Sequence, residues 1–437
     1  MSLGPSQFGR ASLHGAAYRR RKGDNVEFVC VGGGPAGLYF AILTKLRDPS
    51  ADVTVLERNA AGVTFGWGVT FSDDVLDGLY GGDPVSAAEI HRNPASWTDQ
   101  VVRLADQPLA HLGGYGFAIG RHRLLELLAD RAAALGVKIR YEFPVDEPAA
   151  LAEFESADLV LAADGANSRL RGWHAEEFGT ASEQGQNHYI WLGAAKVFPE
   201  FEYTFTRTEA GWIWFYAYPF DDRTTTFIVE CGPDTWRGLG FDALGPAECL
   251  KTLEEIFRGH LDGQPLRVQT KGDDDAGPAP WTRFNWVTNR AWYHGNVVLA
   301  GDAAHTTHFS IGNGTKLAFD DVLELDRQLA AHPGDIPAAL AAYQEARVAA
   351  VGARQQVARN SSRWFEQVDQ FTELAPTVFS YALRTRGDAS RPAPSGLGWL
   401  LHRATQLSVG RQLRGLVSSS NRRQRARRRA ESPTHAV

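Results

Sequence analysis

The chain of 437 residues has only three cysteines, Cys30, Cys231 and Cys249. They show neither a metal-ligand spacing nor a disulfide framework, so no metal is expected and a reducing cytoplasm fits. No apolar run approaches the roughly 18 residues that span a bilayer, and no membrane partner is expected. Residues 1–24 are rich in Gly, Ser and Arg, with Arg19-Arg20-Arg21-Lys22 but no apolar segment behind them, so a secretory signal is not expected; an Arg-rich, acid-poor stretch also suits a transit peptide, and a disordered extension is the preferred reading. No internal repeat is found. Net charge is −6, from 45 basic and 51 acidic side chains, so the molecule as a whole lacks the basic surplus of a nucleic-acid binder. The cluster Arg422 to Arg429 (RRQRARRR) is the exception; it reads as a solvated tail, or as a contact for nucleic acid or an acidic carrier protein.

What is present is a core: 43% of the residues are hydrophobic and 12 are Trp, enough for a folded chain of two or three domains. Val26 to Val31 is a largely apolar, β-branched run, and Gly32-x-Gly34-x-x-Gly37, with Pro35 and Ala36 between, follows without a gap before the helical pattern Leu38 to Leu46. Gly32 permits a tight turn, Gly34 admits a pyrophosphate, and Gly37 allows close helix–strand packing, leaving the helix N-terminus facing the anion. A second strand, Val53 to Leu56, ends in Glu57, followed by Arg58; a carboxylate 20 residues past Gly37 suits the hydroxyls of an adenosine ribose. Two further strands end in carboxylates: Leu159 to Ala163 leads to Asp164-Gly165, with Ser168 and Arg171 beyond, and Asn296 to Ala300 leads to Gly301-Asp302. Carboxylates at strand C-termini lie where an open α/β sheet collects its ligand. Each aspartate also suits a helix cap or turn, and the two roles are compatible. The three motifs together point to FAD.

These residues resemble the class A flavoprotein monooxygenases, the para-hydroxybenzoate hydroxylase superfamily, over about Val26 to Arg386. A narrower resemblance lies in FGWGVTFSDDVLDGL (Phe65 to Leu79), TFIVEC (Thr226 to Cys231), GDAAHTTHFSIGNGTKLAFDD (Gly301 to Asp321) and RNSSRWFEQVDQF (Arg359 to Phe371). It is to the N-terminal monooxygenase part of salicylyl-CoA 5-hydroxylase and 2-aminobenzoyl-CoA monooxygenase, which act on aryl thioesters. The resemblance implies that Gly32, Gly34 and Gly37 hold the FAD pyrophosphate, Glu57 the ribose, Arg121 the phosphate or ribityl region, and Asp302 the ribityl chain. It also implies that Gly312, Gly314 and Thr315 open a helix aimed at the flavin pyrimidine ring, and that the loop Gly66-Trp67-Gly68 passes the flavin; a simple turn is the alternative for that loop. Most of the superfamily has Pro-Pro-x-x-Gly-x-Gly-x-Asn after the Gly-Asp pair, whereas this chain has Phe309 to Lys316, which agrees with the thioester subgroup. That subgroup carries a further domain resembling old yellow enzyme; the sequence stops at Val437, so no ring-reduction step of that kind is expected.

The fold expected is mixed α/β: a Rossmann-like FAD-binding domain at 25–185 and 287–335, an inserted antiparallel-sheet substrate domain at 186–286, a C-terminal helical region at 336–410 and a basic tail at 411–437. Residues 386–398 read as a linker. In Gly211 to Phe220 one face of the strand presents Trp212, Trp214, Tyr216 and Tyr218, either a pocket wall or ordinary core. Trp214, Tyr216, Tyr218, Glu230 and His308 are the candidate substrate contacts; His308 and Glu230 are the candidate catalytic groups, with an exposed strand-end acid as the alternative for Glu230.

No second GxGxxG follows a strand, so NADPH or NADH is expected to dock transiently. By the resemblance the reduced flavin then forms a 4a-hydroperoxide with O2 and hydroxylates or epoxidises an aromatic ring, leading to a CoA or acyl-carrier-protein thioester as substrate. The rivals are a free aromatic acid, phenol or indole hydroxylase; a non-catalytic flavoprotein binding through its basic tail; and a flavin-dependent halogenase, whose W-x-W-x-I-P signature Trp212-x-Trp214 is similar to, although Tyr216-Ala217 stand where Ile-Pro is required. The oligomeric state is left open.

Overall fold

The computed structural model describes residues 25–92, 94–269, 279–388 and 394–431. The N-terminal extension, the centre of the expected linker and the last residues of the tail lie outside the described residues.

The first layer is a six-stranded sheet in the spatial order Tyr293–His294, Val297–Leu299, Leu159–Ala162, Glu27–Val31, Asp52–Leu56, Lys138–Arg140. Its pairs are parallel except the terminal hairpin Tyr293–His294 with Val297–Leu299. Both faces are covered, which is why the strands read as continuous apolar runs rather than alternating ones: Val29, Cys30, Val55, Leu159 and Leu161 are all buried. Helices Pro35–Arg47 and Gly314–Ala331 pack beside each other against this sheet, Tyr39 meeting Phe319 edge-on at 5.2 Å. The three motif turns follow adjacent strands and therefore emerge at one edge of the sheet.

The second layer is an eight-stranded sheet built around Ala181–Ala194, Thr225–Cys231, Gly211–Pro219 and Phe201–Thr208, paired antiparallel in that order. It begins earlier than the expected boundary at 186 and recruits Gln100–Leu104, which runs parallel to Phe201–Thr208. Strand alternation divides its side chains. Phe215 and Phe227 pack on one face against Phe257, whereas Phe205 and Trp214 pack on the other against Phe365. Between the layers the chain after the Gly66-Trp67-Gly68 loop forms strand Gly68–Phe71, paired with Gly116–Gly120, and helix Asp73–Gly82.

Helix Ile336–Glu366 ties the layers together. Tyr343 Oη donates to Leu299 O at 2.9 Å in the first, Gln355 Nε2 donates to Val287 O at 3.0 Å, and Phe365 enters the core of the second. The basic tail is helical over Ser408–Glu431, and two of its arginines dock: Arg425 pairs with Asp74 and Asp77, Arg429 with Asp73 and Asp77. Among the described residues no helix is long and apolar enough to cross a membrane.

Candidate active site

A cleft of about 1290 Å³ opens between the layers. A pocket for one small ligand is usually about 300–1,000 Å³, so this one has room for a cofactor and a second molecule. Its walls include Gly34, Pro35 and Ala36 from the glycine turn, Asp302 after the third motif strand, Gly312 to Thr315 at a helix start, and a group of tyrosines from the large sheet.

The glycines of the turn divide by what surrounds them. Gly32 has φ +109°, and a Cβ there would lie 2.3 Å from Ala163 O; a Cβ on Gly37 would lie 2.0 Å from Gly32 O. Both are required by the protein's own packing. Around Gly34 nothing lies within 4 Å of the corresponding position, so its missing side chain leaves room only for something in the cleft. Gly34 also caps Pro35–Arg47 without a side-chain acceptor, leaving first-turn donors for a ligand.

Glu57 accepts from Gly33 N at 2.8 Å and from Asn59 N at 2.9 Å. It braces the turn and stands outside the lining of the main cleft, and Arg58 is exposed beside it. Asp164 also turns away from the cleft: its carboxylate accepts from Arg169 N at 2.7 Å, and Ser168 Oγ accepts from Arg171 N at 3.0 Å. The second motif is thus a capped turn, while Gly165 and Ala166 reach the cleft wall. Arg171 joins it to the third motif by donating to Ala303 O at 3.0 Å.

Gly301 has φ +60°, and its N–H is held by Asp321 Oδ2 at 2.8 Å. Asp321 is fully buried and also accepts from Arg347 Nε at 2.8 Å and faces His305 Nε2 at 2.8 Å, so one carboxylate fixes the turn that presents Asp302. The Asp302 side chain is exposed to the open cleft, yet the enclosing walls desolvate it enough to raise its carboxyl, an effect opposed by His305 and Arg121. Arg121, half-buried in the same wall, donates from Nε to Thr64 Oγ1 at 3.2 Å; desolvation lowers its guanidinium, against the pull of Asp302 and Glu57. The 18-residue helix Gly314–Ala331 starts at the cleft with no side-chain cap and no acid in its first turn, a free positive dipole end. Gly312 has φ +62° in the turn before it.

In the loop Gly66 to Gly68, only Gly68 lines the cleft. Trp67 faces inward instead, its indole N–H donating to Trp191 O at 3.3 Å and its ring lying on Gly193, where a Cβ would come within 2.5 Å. Gly68 is pinned by Tyr218 Oη, which donates to its carbonyl at 3.0 Å, and by Thr226 Oγ1, which accepts its N–H at 2.8 Å.

Of the five candidate substrate contacts, Tyr216 and Tyr218 reach the cleft wall, joined by Tyr189, Tyr203 and Phe309. Trp214, Glu230 and His308 do not. Trp214 stacks with Phe365 and Phe205 in the core, because the long helix covers that part of the strand. Glu230 stands next to the end of strand Thr225–Cys231 but is not exposed: it is 1% exposed, directly behind Tyr216, and accepts from Tyr216 Oη at 2.5 Å, Asn187 Nδ2 at 2.7 Å and Trp214 Nε1 at 3.3 Å. Burial pushes its carboxyl up to about 7 against those hydrogen bonds. His308 sits behind Phe309 with Nδ1 2.8 Å from Ser310 Oγ; burial, aided by Arg386, pushes it down to about 3, leaving a neutral ring at physiological pH.

Arg386, absent from the sequence-based site, lines the aromatic end. It donates to Ser361 Oγ at 2.9 Å and Ser310 O at 2.6 Å, and lies 5.6 Å over the Tyr203 ring. Tyr189, Tyr203 and Phe309 were missed as well; the alternation Phe201, Tyr203, Phe205 was the one local signal. Away from the cleft, His174, Glu177 and His294 bring ligand atoms within 4.8 Å of one another, two of the three being exposed.

A family model described as an FAD binding domain matches residues 25–360. The chain is similar to salicyloyl-CoA 5-hydroxylase of Streptomyces sp, 39% identical over 372 residues that cover 83% of this chain and 70% of that protein. It is also similar to 3-hydroxy-4-methyl-anthranilyl-(aryl-carrier protein) 5-monooxygenase of Streptosporangium sibiricum, 35% identical over 341 residues, 77% of this chain and 88% of the relative. Among solved structures, 2-methyl-3-hydroxypyridine-5-carboxylic acid oxygenase shares the fold with a TM-score of 0.61 at 18% identity, covering 85% of this chain and 100% of that one.

Proposed function

This chain belongs to the FAD-binding-domain family of aromatic monooxygenases, and from that premise we propose that it hydroxylates, or epoxidises, an aromatic ring presented as a thioester on coenzyme A or a carrier protein. NADPH or NADH is the electron donor and O2 the co-substrate. The observation that carries the reading is the continuity of one cleft from Gly34 past Asp302 and the start of Gly314–Ala331 to the tyrosine wall. Bound FAD supplies the redox chemistry, delivering one oxygen atom of O2 to the ring.

The residues of the chain do the rest. Gly34 and the start of Pro35–Arg47 receive the pyrophosphate, with Glu57 holding the turn in register for the ribose end. Asp302 and Arg121 face the ribityl region, and the first turn of Gly314–Ala331, with Gly312 and Thr315, meets the pyrimidine edge, where its dipole favours negative charge. Trp67 braces the loop over the cofactor. Tyr203, Tyr216 and Phe309 grip the substrate ring and keep water away from it. Glu230, through its hydrogen bond to Tyr216 Oη, fixes that tyrosine and stores a proton beside the wall.

Arg386 at the aromatic end, whose Nη1 keeps one N–H beyond its bond to Leu383 O, favours a second reading, a free aromatic acid whose carboxylate would pair with the guanidinium charge. NADPH oxidation measured with salicyloyl and anthraniloyl thioesters against the same free acids separates the two. The thioester reading requires stimulation by the thioesters, and exclusive stimulation by the free acids overturns it.

A further inference from the structure

Among the described residues, eight of the thirteen exposed large hydrophobic side chains fall within residues 397–417. They form two stripes at helical spacing: Leu397, Leu400 and Leu401 on helix Gly396–Thr405, and Val409, Leu413, Leu416 and Val417 on helix Ser408–Glu431, with Leu407 between them. An amphipathic helix normally turns such a stripe inward. Here the opposite side is anchored. His402 is fully buried with Nε2 2.8 Å from Ser380 Oγ, Gln406 exchanges two hydrogen bonds with the His111 backbone, and Arg414 donates to Leu112 O at 3.2 Å. The apolar stripes are therefore held outward.

The anchors also place this helix pair beside the cleft, although none of its own described residues lines it. Arg414 grips the chain just before Tyr115 and Gly116, which line the cleft, and Arg425 and Arg429 clamp Asp73, Asp74 and Asp77, which flank the cleft residues Ser72 and Val75. The charge is one-sided. Between Asp388 and Glu431 the sequence has ten arginines and no acid. Even with Arg425 and Arg429 paired to Asp73, Asp74 and Asp77, a stretch of sequence so rich in arginine repels a second copy and attracts an acidic partner.

We propose that the outward face of helices Gly396–Thr405 and Ser408–Glu431 docks an acidic helical carrier protein that delivers the aryl thioester into the adjacent cleft. The proposal rests on the thioester reading above and selects the protein carrier over free coenzyme A. Apolar anchors surrounded by complementary charge are the arrangement of an interface centre with a polar rim.

The test compares kcat/KM for an anthraniloyl group on the phosphopantetheine arm of an acidic carrier protein with that for anthraniloyl-pantetheine, using the FAD-loaded full chain and its Leu400→Glu/Leu413→Glu variant. Both leucines are exposed, so the variant keeps its fold and its turnover of the pantetheine thioester. The carrier substrate is expected to be favoured at least about tenfold, and the variant to lose about thirtyfold on it alone, the scale of losing an interface anchor. Equal use of the two thioesters overturns the proposal. So does a variant that dissociates a dimer in sedimentation, or releases the protein from phosphatidylglycerol vesicles, while the carrier preference persists; those results assign the face to a second copy or to a lipid surface. Oxidation of free aromatic acids but of neither thioester removes the underlying thioester reading, a different outcome from equal use.

Discussion

Two single-methyl substitutions in the glycine turn separate the fold from the site. In Gly37→Ala the new Cβ falls 2.0 Å from Gly32 O, a backbone atom that cannot rotate away, so strand and helix must part. Overpacking of that kind costs about 1–3 kcal/mol, and a contact between two backbone segments belongs at the upper end. In Gly34→Ala the Cβ meets no protein atom within 4 Å, and the backbone at φ −77°, ψ −178° is open to any residue. The apoprotein should therefore keep its stability within about 0.5 kcal/mol. What the methyl occupies is cleft space beside the uncapped helix start. If a pyrophosphate belongs there, one charge-assisted hydrogen bond is lost or stretched, worth about 1.5–3 kcal/mol, or roughly 10- to 150-fold in Kd. Thermal melts of the two apoproteins and FAD titrations followed by flavin fluorescence give both quantities. A Gly34→Ala protein that melts as low as Gly37→Ala, or binds FAD with unchanged affinity, would refute the reasoning.

Glu230 gives the folded state a pH signature. Its carboxyl, pushed up to about 7, keeps its proton through a range where an unfolded glutamate, at about 4.3, has lost it. The folded chain then binds more protons than the unfolded one, so this contribution is fully present below about pH 4 and is lost as pH rises to 7, by roughly 3 kcal/mol. Urea melts from pH 5 to 8 should show the decline in the wild type and a flatter profile in Glu230→Gln; parallel profiles contradict it. Asp321→Asn leaves Arg347 buried without its counter-charge and should cost about 3–5 kcal/mol in the same assay, while a loss under 1 kcal/mol would show that the turn at Gly301 is held by something else. Arg386→Ala should raise KM for a free aromatic acid by about tenfold or more if the guanidinium pairs with a carboxylate, and leave thioester KM nearly unchanged; steady-state kinetics on both substrates reads the difference.

The flavin-domain half of this molecule was legible because its signals are local. A strand, a glycine turn and a helix are contiguous in Glu27–Arg47, and Gly301-Asp302 directly follows its own strand. The aromatic wall was only half legible. Strand alternation put Trp214 and Tyr216 on one face, but which of them meets the cleft depends on where Phe365 arrives, about 150 residues later. The alternation likewise gave no sign that Glu230 would stand behind Tyr216 rather than in solvent, since that requires Asn187 and Trp214 from the neighbouring strands. Arg386 reaches the cleft after the chain has crossed the molecule in the long helix and returned. The basic segment at the C-terminus read as solvated, because its partners Asp73, Asp74 and Asp77 lie some 350 residues away.

The claim on which the account turns is that this cleft brings an aromatic ring to FAD for oxygen transfer. Incubation of the FAD-loaded protein with NADPH, isotopically labelled O2 and salicyloyl or anthraniloyl thioesters, followed by mass spectrometry of the acyl group, tests it directly. One labelled oxygen atom in the ring is the predicted result. An unlabelled, unchanged acyl group, with NADPH consumed at a rate indifferent to any aromatic ligand, would contradict it.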